Sequence, residues 1–542
     1  MVTCLLRGVL ILFSGVFLLR NLQFLFISLR WPAAISPDAV ILRFEATQML
    51  AGRFPGTDFV SINLPFTHLV HILGLTIFGS DDTGFRILDL SWLTGTALLL
   101  YALLRYGHGR AAAISGVILF SLFPVEATPY GAFQREVILF PLLLAVVFFL
   151  QKLEKGEALG NELYFYAGTG ALIVCSALIK PPILLFYFLL FVYHTIRIGR
   201  KEAFTNLAQR GGAFIAGAII APLAICLPLA GYGVLYDYFA GWQKQTAIYL
   251  ELVELKSAAT LASNLFTVWP PRMILALNEG YLDPLDTGHF SLFHLTVLCL
   301  WCYLAFQRRL HPAPLFLFVA GVAMYLVQLR GFQYHLYPAW LALMIMLAQI
   351  CGLLLERASV RSLALACLGA ILLLAWQDRG LRTYRGTGLL ERERPAGFLL
   401  PVALAELARA GNHKSIVTLE HASIALSAVQ ASRLEFPSPY PVDYVLRKPS
   451  VYRSEARIRF TNSLRKRPHL IAISHETALT PAREILEKEW RTILGSDFLP
   501  TDYRDFATLR SLLGEHYRLS RVIVERNGDL YTVYEIRPES KQ

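Results

Sequence analysis

The sequence predicts a mainly α-helical protein that crosses a membrane many times and ends in a water-soluble α/β segment. Three observations carry that prediction. Apolar residues make up 55% of the 542 and charged residues only 16%, against about 25% charged in ordinary soluble domains. Apolar runs of about 18 residues, the length that bridges a bilayer core, recur as far as residue 377. Beyond that point charged residues return and the apolar residues fall into short, strand-like runs. Mean hydropathy over the chain is +0.49.

The apolar runs and their charged ends place spans at 8–29, 84–105, 111–128, 132–150, 163–179, 181–196, 212–230, 290–307, 313–329, 335–355 and 361–377. That gives eleven spans, within a range of 9–13. The apolar stretch 64–79 is short, as suits an interfacial or half-inserted helix. Arg7 precedes the first run as in a signal peptide, but no small-residue cleavage site follows, so the run reads as an uncleaved first helix.

Short loops on one side carry Arg105, Arg110, Lys152, Lys155, Arg197, Arg200, Lys201, Arg308, Arg309, Arg357 and Arg361. Excess Lys and Arg marks that side as cytoplasmic. An odd number of spans then leaves the N-terminus inside and the tail outside. The expected division is a membrane domain over 1–377, with outer loops 30–83 and 231–289, and an extracytoplasmic domain over 378–542.

Within the tail, Ser415–Leu419 and Leu470–Ser474 read as buried strands. Residues 480–494 and 504–513 read as helices. Arg521–Glu525 and Leu530–Ile536, joined by Asn527-Gly528-Asp529, read as a closing hairpin.

The net charge of +11 is spread over short loops and the tail, which itself carries 26 Lys+Arg against 20 Asp+Glu. No basic run alternates with aromatics, so a nucleic-acid partner is not expected. All seven cysteines lie in or beside apolar segments. Cys299 and Cys302 fall in mid-helix among leucines, where a metal or redox role is not expected.

Polar groups at the edge of a membrane domain need a reason, because burying them is costly. The first outer loop holds Asp38, Arg43, Glu45 and Asp58. Asp38 directly follows the first span and opens an amphipathic stretch, where a carboxylate at the bilayer surface suits a general base. A plain helix cap after Pro37 is the competing reading. Glu136 opens the fourth span, Lys180 stands before Pro181-Pro182, and Arg330-Gly331-Phe332-Gln333-Tyr334-His335 forms another outer turn. Outward-facing cations run against the positive-inside trend and suit an anionic partner such as a phosphate. Snorkelling side chains are the alternative for each taken singly.

Pro37-Asp38, Met49-Leu50-Ala51-Gly52, Asp58-Phe59, Leu64-Pro65, Ile77-Phe78-Gly79 and Arg86 together resemble the opening of the C-type (GT-C) membrane glycosyltransferases. The likeness is to the lipid A aminoarabinose transferase and protein O-mannosyltransferase-like branch. Glu136, Lys180-Pro181-Pro182 and the Arg330–His335 segment fall where that branch keeps acidic, Lys-Gly/Pro and Lys/Arg-Gly-x-x-Tyr elements. This chain has Asp38-Ala39 where many members have Asp-Glu, and Leu64 where they have Lys or Pro.

The resemblance implies a GT-C helical bundle and transfer of a sugar from a polyprenyl-phosphate carrier, by inverting displacement, to an acceptor on the outer side of the membrane. Asp38 would take the acceptor's proton. Lys180 and Arg330, with Arg43 and His335, would stabilise charge on the leaving phosphate. Tyr334 and the aromatics of the 231–289 loop would line a groove for the prenyl chain or stack on the sugar. Glu136 and Asp58 are the other candidate carboxylates. The expected partners are the lipid-linked donor, an envelope lipid, glycan or protein acceptor, and membrane lipids. The expected location is a bacterial inner membrane. No cofactor is expected, and no Asp-x-Asp pair in the first loop supports a divalent metal. A lipid-linked sugar transporter or flippase, a glycan ligase or polymerase, and a non-enzymatic envelope scaffold remain the alternatives.

Overall fold

The computed structural model describes residues 2–30, 37–123, 133–155, 162–199, 204–252, 292–308, 310–328, 333–357, 359–361, 363–367, 369, 399–419, 434–438, 446, 453–475, 506–524 and 530–538. Most of the expected span 361–377, the 253–291 part of the second outer loop, the expected helix 480–494 and the turn 527–529 lie outside these residues.

The helices are α1 (Val2–Arg30), α2 (Pro37–Leu50), α3 (Pro65–Phe78), α4 (Asp82–Phe120), α5 (Arg135–Glu154), α6 (Glu162–Ala177), α7 (Leu184–Gly199), α8 (Phe204–Gly231), α9 (Leu235–Leu252), α10 (Leu292–Arg308), α11 (Ala313–Gln328) and α12 (Tyr337–Arg357). Most of them overlie the apolar runs, and α2 and α9 fall in the two expected outer loops. Five described stretches are long and apolar enough to cross a bilayer: Val2–Gln23, Thr83–Phe120, Arg135–Glu154, Ala208–Gly231 and Tyr337–Glu356. Pro65–Phe78, Pro181–Arg197, Thr296–Gln307 and Ala313–Tyr325 are apolar but shorter.

Burial sorts the long helices. The cores of α5 and α12 are 72% buried, whereas the apolar stretches of α1 and α8 are 6% and 17% buried. The first two form the centre of the bundle, and the other two present side chains suited to lipid.

Helix α4 is a hairpin. Gly109 sits at φ 86°, ψ 178°, outside helical space, in a region that glycine adopts without a Cβ penalty. The chain reverses there, so Gly116 packs against Leu104 and Leu100 of the first arm. This matches the boundary expected between the second and third spans. Close approach also joins α6 to α8. A Cβ on Gly170 or on Gly217 would overlap the backbone of the opposite helix, the small-residue contact typical of helices in lipid.

The tail forms a four-stranded sheet in the order β1-β2-β4-β3, from β1 (Ile416–Leu419), β2 (Leu470–His475), β3 (Tyr517–Val524) and β4 (Leu530–Ile536). Strands β1 and β2 are parallel, with Ile416 opposite Leu470, and β4 is antiparallel to both β2 and β3. Helices α13 (Leu399–Ala410), α14 (Arg453–Leu464) and α15 (Ala507–His516) flank it. Period-two alternation splits its side chains between two cores. Ile416, Leu470, Ala472, Tyr531 and Val533 pack with Leu400 and Leu404 of α13 and with Val40 and Phe44 of α2. Val417, Leu419, Ile471 and Ile473 pack with α14, α15, Val60 and Ile248.

The segment 37–63 therefore supplies part of both tail cores, and α9 part of one. Phe44 meets Phe436 edge-on at 5.2 Å, and Arg53 Nη1 donates to the Phe436 carbonyl at 3.2 Å. The stretch after Asp38, which the sequence reads as amphipathic, is covered here. Ala39, Val40, Leu42, Arg43, Phe44, Glu45 and Ala46 are all buried, because the tail covers the side of α2 that the membrane helices leave open.

Candidate functional site

The structure brings together three side chains from remote parts of the chain. Lys180 Nζ donates to Glu136 Oε1. His335 Nδ1 lies 2.8 Å from the same oxygen and 2.9 Å from Lys180 Nζ. All three residues are buried, with 0% (Glu136), 5% (Lys180) and 1% (His335) of their surface exposed. Among the described residues, Glu136 Oε2 has no hydrogen-bond partner.

Local sequence explains each position. Phe133, at φ 46°, donates its N–H to Asp89 Oδ1 at 2.8 Å, and Asp89 Oδ2 accepts from Arg86 Nη1 at 2.5 Å. That clamp fixes the start of α5, so Glu136 lies in the helix's first turn, where the positive end of the helix dipole favours a carboxylate. Lys180 precedes Pro181, which disfavours helical backbone at the residue before it, and it is extended at φ −151°, ψ 96°. His335 belongs to a short 3-10 turn, Gln333–Leu336, leading into α12.

A second buried polar group joins α2, α3 and α9. Glu45 Oε2 accepts from Asn63 Nδ2 at 2.8 Å and lies 2.8 Å from His68 Nε2. His68 Nδ1 is 2.5 Å from the Tyr238 hydroxyl, which donates to the Asn63 carbonyl at 3.1 Å. Arg43, two residues before Glu45, is 2% exposed and stands over the Phe85 ring at 6.0 Å. Phe85 packs edge-on against Phe133 at 5.9 Å. Arg43 is thus one aromatic pair away from the clamp that holds Glu136. The sequence reading placed Arg43 in the site but missed Asn63, His68 and Tyr238. The signal it passed over was the polar residues Asn63 and His68 in and beside the short apolar stretch 64–79.

The other expected residues fall as follows. Asp38 is the second residue of α2, and its side chain lies outside the described residues, as do Arg330 and the side chain of Tyr334. Asp58 is exposed and closes the 53–59 turn, accepting from Phe54 N at 2.8 Å and Thr57 Oγ1 at 3.0 Å. Asp81 caps α4, its Oδ1 accepting from Gly84 N at 2.7 Å. Among the described residues no group of three or more His, Cys, Asp or Glu is arranged to hold a metal ion.

A third group occupies the far end of α5. Glu154 accepts from Arg197 Nη1 at 3.0 Å and faces His194 Nδ1 at 3.3 Å and His311 Nε2 at 3.4 Å. It lies 18 residues from Glu136, about 27 Å at 1.5 Å per residue.

Fold and site together define a multi-pass helical membrane protein with buried charge gathered at helix ends and an α/β layer packed on helix α2. No protein-family model matches the chain, and no curated protein matches it. Among solved structures it is similar to the Archaeoglobus fulgidus oligosaccharyltransferase in complex with Zn and sulfate, at 13% identity over 85% of this chain and 68% of that one, TM-score 0.47. It is similar also to ArnT from Cupriavidus metallidurans bound to undecaprenyl phosphate, at 12% identity over 97% of this chain and 98% of that one, TM-score 0.47. Both are GT-C glycosyltransferases, the group that the first-loop residues resemble.

Proposed function

We propose that the chain is an integral-membrane glycosyltransferase that moves a sugar from a polyprenyl-phosphate carrier to an envelope acceptor at the outer face of a bacterial inner membrane. The observation that carries this reading is the convergence of Glu136, Lys180 and His335. A buried ion pair rarely repays its desolvation as cohesion alone, so ionisable groups sequestered at a helix-end cluster of a membrane bundle are better explained by an ionic substrate.

In the proposed reaction the acceptor's hydroxyl or amine attacks the anomeric carbon. The bond from that carbon to the phosphate oxygen breaks, and the lipid phosphate leaves with the bonding pair. The acceptor's proton passes to the Asp38 carboxylate. Lys180, with Arg330 and Arg43, offsets the charge gathering on the phosphate. Glu136 holds the Lys180 ammonium in place through Oε1, and its Oε2 is the acceptor atom left for a donor on the incoming substrate.

Glu136 and Lys180 stand at helix ends. A lipid-linked sugar transporter more often binds at the mid-membrane, on broken helices, so the enzyme reading is favoured. Lys and Arg in the loops at the Glu154 end support a cytoplasmic side for that end.

The test is transfer from radiolabelled polyprenyl-phosphate sugars by the purified protein in liposomes, paired with mass spectrometry of envelope lipids, glycans and proteins with and without the gene. Label moving from the lipid carrier to an acceptor is the expected result. Movement of an unaltered lipid-linked sugar across the bilayer, with no transfer, would overturn it.

A further inference from the structure

We infer that His68, held between Glu45 and Tyr238, is a positioning residue that fixes the seating of α2 and thereby of Asp38. The inference rests on the transfer reaction proposed above.

Hydrogen-bond directions follow from the partners. A backbone carbonyl only accepts, so the Tyr238 hydroxyl donates to Asn63 O at 3.1 Å. Burial, with Glu45 nearby, pushes the Tyr238 phenol well above its ordinary value, so it keeps its proton. His68 Nδ1, at 2.5 Å, must then donate to the phenol oxygen. Glu45 Oε2 already accepts from Asn63 Nδ2, and His68 Nε2 faces the same oxygen at 2.8 Å. That oxygen is shared by Asn63 and His68. The imidazole is thus held between the Glu45 carboxyl and the Tyr238 phenol, with 2% or less of the Glu45 and His68 side chains exposed.

Cohesion alone does not call for this arrangement. Replacing a buried ion pair by apolar groups of similar volume is often neutral or stabilising. The array adds direction, because apolar packing tolerates a small roll or slide of a helix and a set of short hydrogen bonds does not. It fastens α2 to α3 through Glu45 and His68, and to α9 through Tyr238. Asp38 lies seven residues upstream of Glu45 on the same helix, with no Gly or Pro between them. A shift at Glu45 is therefore carried along about 10 Å of stiff helix to the proposed base. A misplacement of about 1 Å can cost on the order of a hundredfold in rate.

Tyr238→Phe removes one hydroxyl and keeps the ring, so it is the mildest test. Glu45→Gln is the second variant. The readout is the single-turnover rate constant for transfer from the polyprenyl-phosphate sugar that serves wild type, because that constant does not depend on how much protein is folded. Both variants should slow single turnover by roughly ten- to hundredfold while the KM for the donor stays within about twofold. In an Asp38→Asn background Tyr238→Phe should add little, since the array acts through Asp38. Wild-type single-turnover rates in folded Tyr238→Phe protein overturn the inference, as does a full additional loss in the Asp38→Asn background. Absence of transfer by wild type itself, from any donor tried, would instead count against the proposed function.

Discussion

Glu136 and Glu154 stand 18 residues apart at opposite ends of α5, and each binds a separate set of cations and histidines. Glu136 holds Lys180 and His335, and Glu154 holds Arg197, His194 and His311. One helix through the centre of the bundle thus marks both of its ends.

If the Glu154 end is cytoplasmic, reporter fusions after Arg110, Lys201 and Arg309 will read as inside and a fusion at Gln542 as outside. An inside reading at Gln542 would detach the tail from the face proposed for Glu136.

Lys180→Ala leaves the Glu136 carboxylate buried without its cation. Breaking a buried pair in this way costs about 3–5 kcal/mol, so the variant should melt well below wild type. Adding Glu136→Gln removes the stranded charge and should restore much of the melting temperature. Transfer should stay at least ten- to hundredfold down in the double variant, since a charge-assisted contact is worth about 1.5–3 kcal/mol. Recovery of transfer together with stability would reduce the pair to a structural one.

Asp38→Asn keeps the shape and helix-capping ability of the side chain. As a cap only, Asp38 would tolerate the change with near-normal transfer. As the base, it should lose on the order of 10²–10⁴ in rate while the protein still inserts and folds. Asp38→Glu should retain more activity than Asn.

Phe44 joins α2 to the tail by its edge-on contact with Phe436. Phe44→Ala should cost about 3–5 kcal/mol at that joint. Limited proteolysis of membranes should then release a tail fragment from the variant faster than from wild type. Equal cleavage would show that Val60, Ile248 and Arg53 hold the tail without it.

Much of the fold was legible along the chain. Apolar runs place helices because a bilayer core has a fixed thickness and every backbone group in it must be paired. The short apolar runs Ser415–Leu419 and Leu470–Ser474 likewise marked two buried strands, which the structure forms as β1 and β2. Lys180 and His335 were singled out as polar groups at helix turns, where polarity has to be explained.

The tertiary structure alone decided the rest. Nothing in the sequence pairs Lys180 with Glu136, or Glu45 with His68 and Tyr238, because a helix period of 3.6 residues records which face a residue occupies and not which helix it meets. The same holds for α2. Its local pattern reads as amphipathic, yet the tail, arriving from more than 350 residues away, helps to bury it. Composition and period are local properties and determined the class of protein and its helices. Partners brought together by packing are not, and they determined which of its charges share a site.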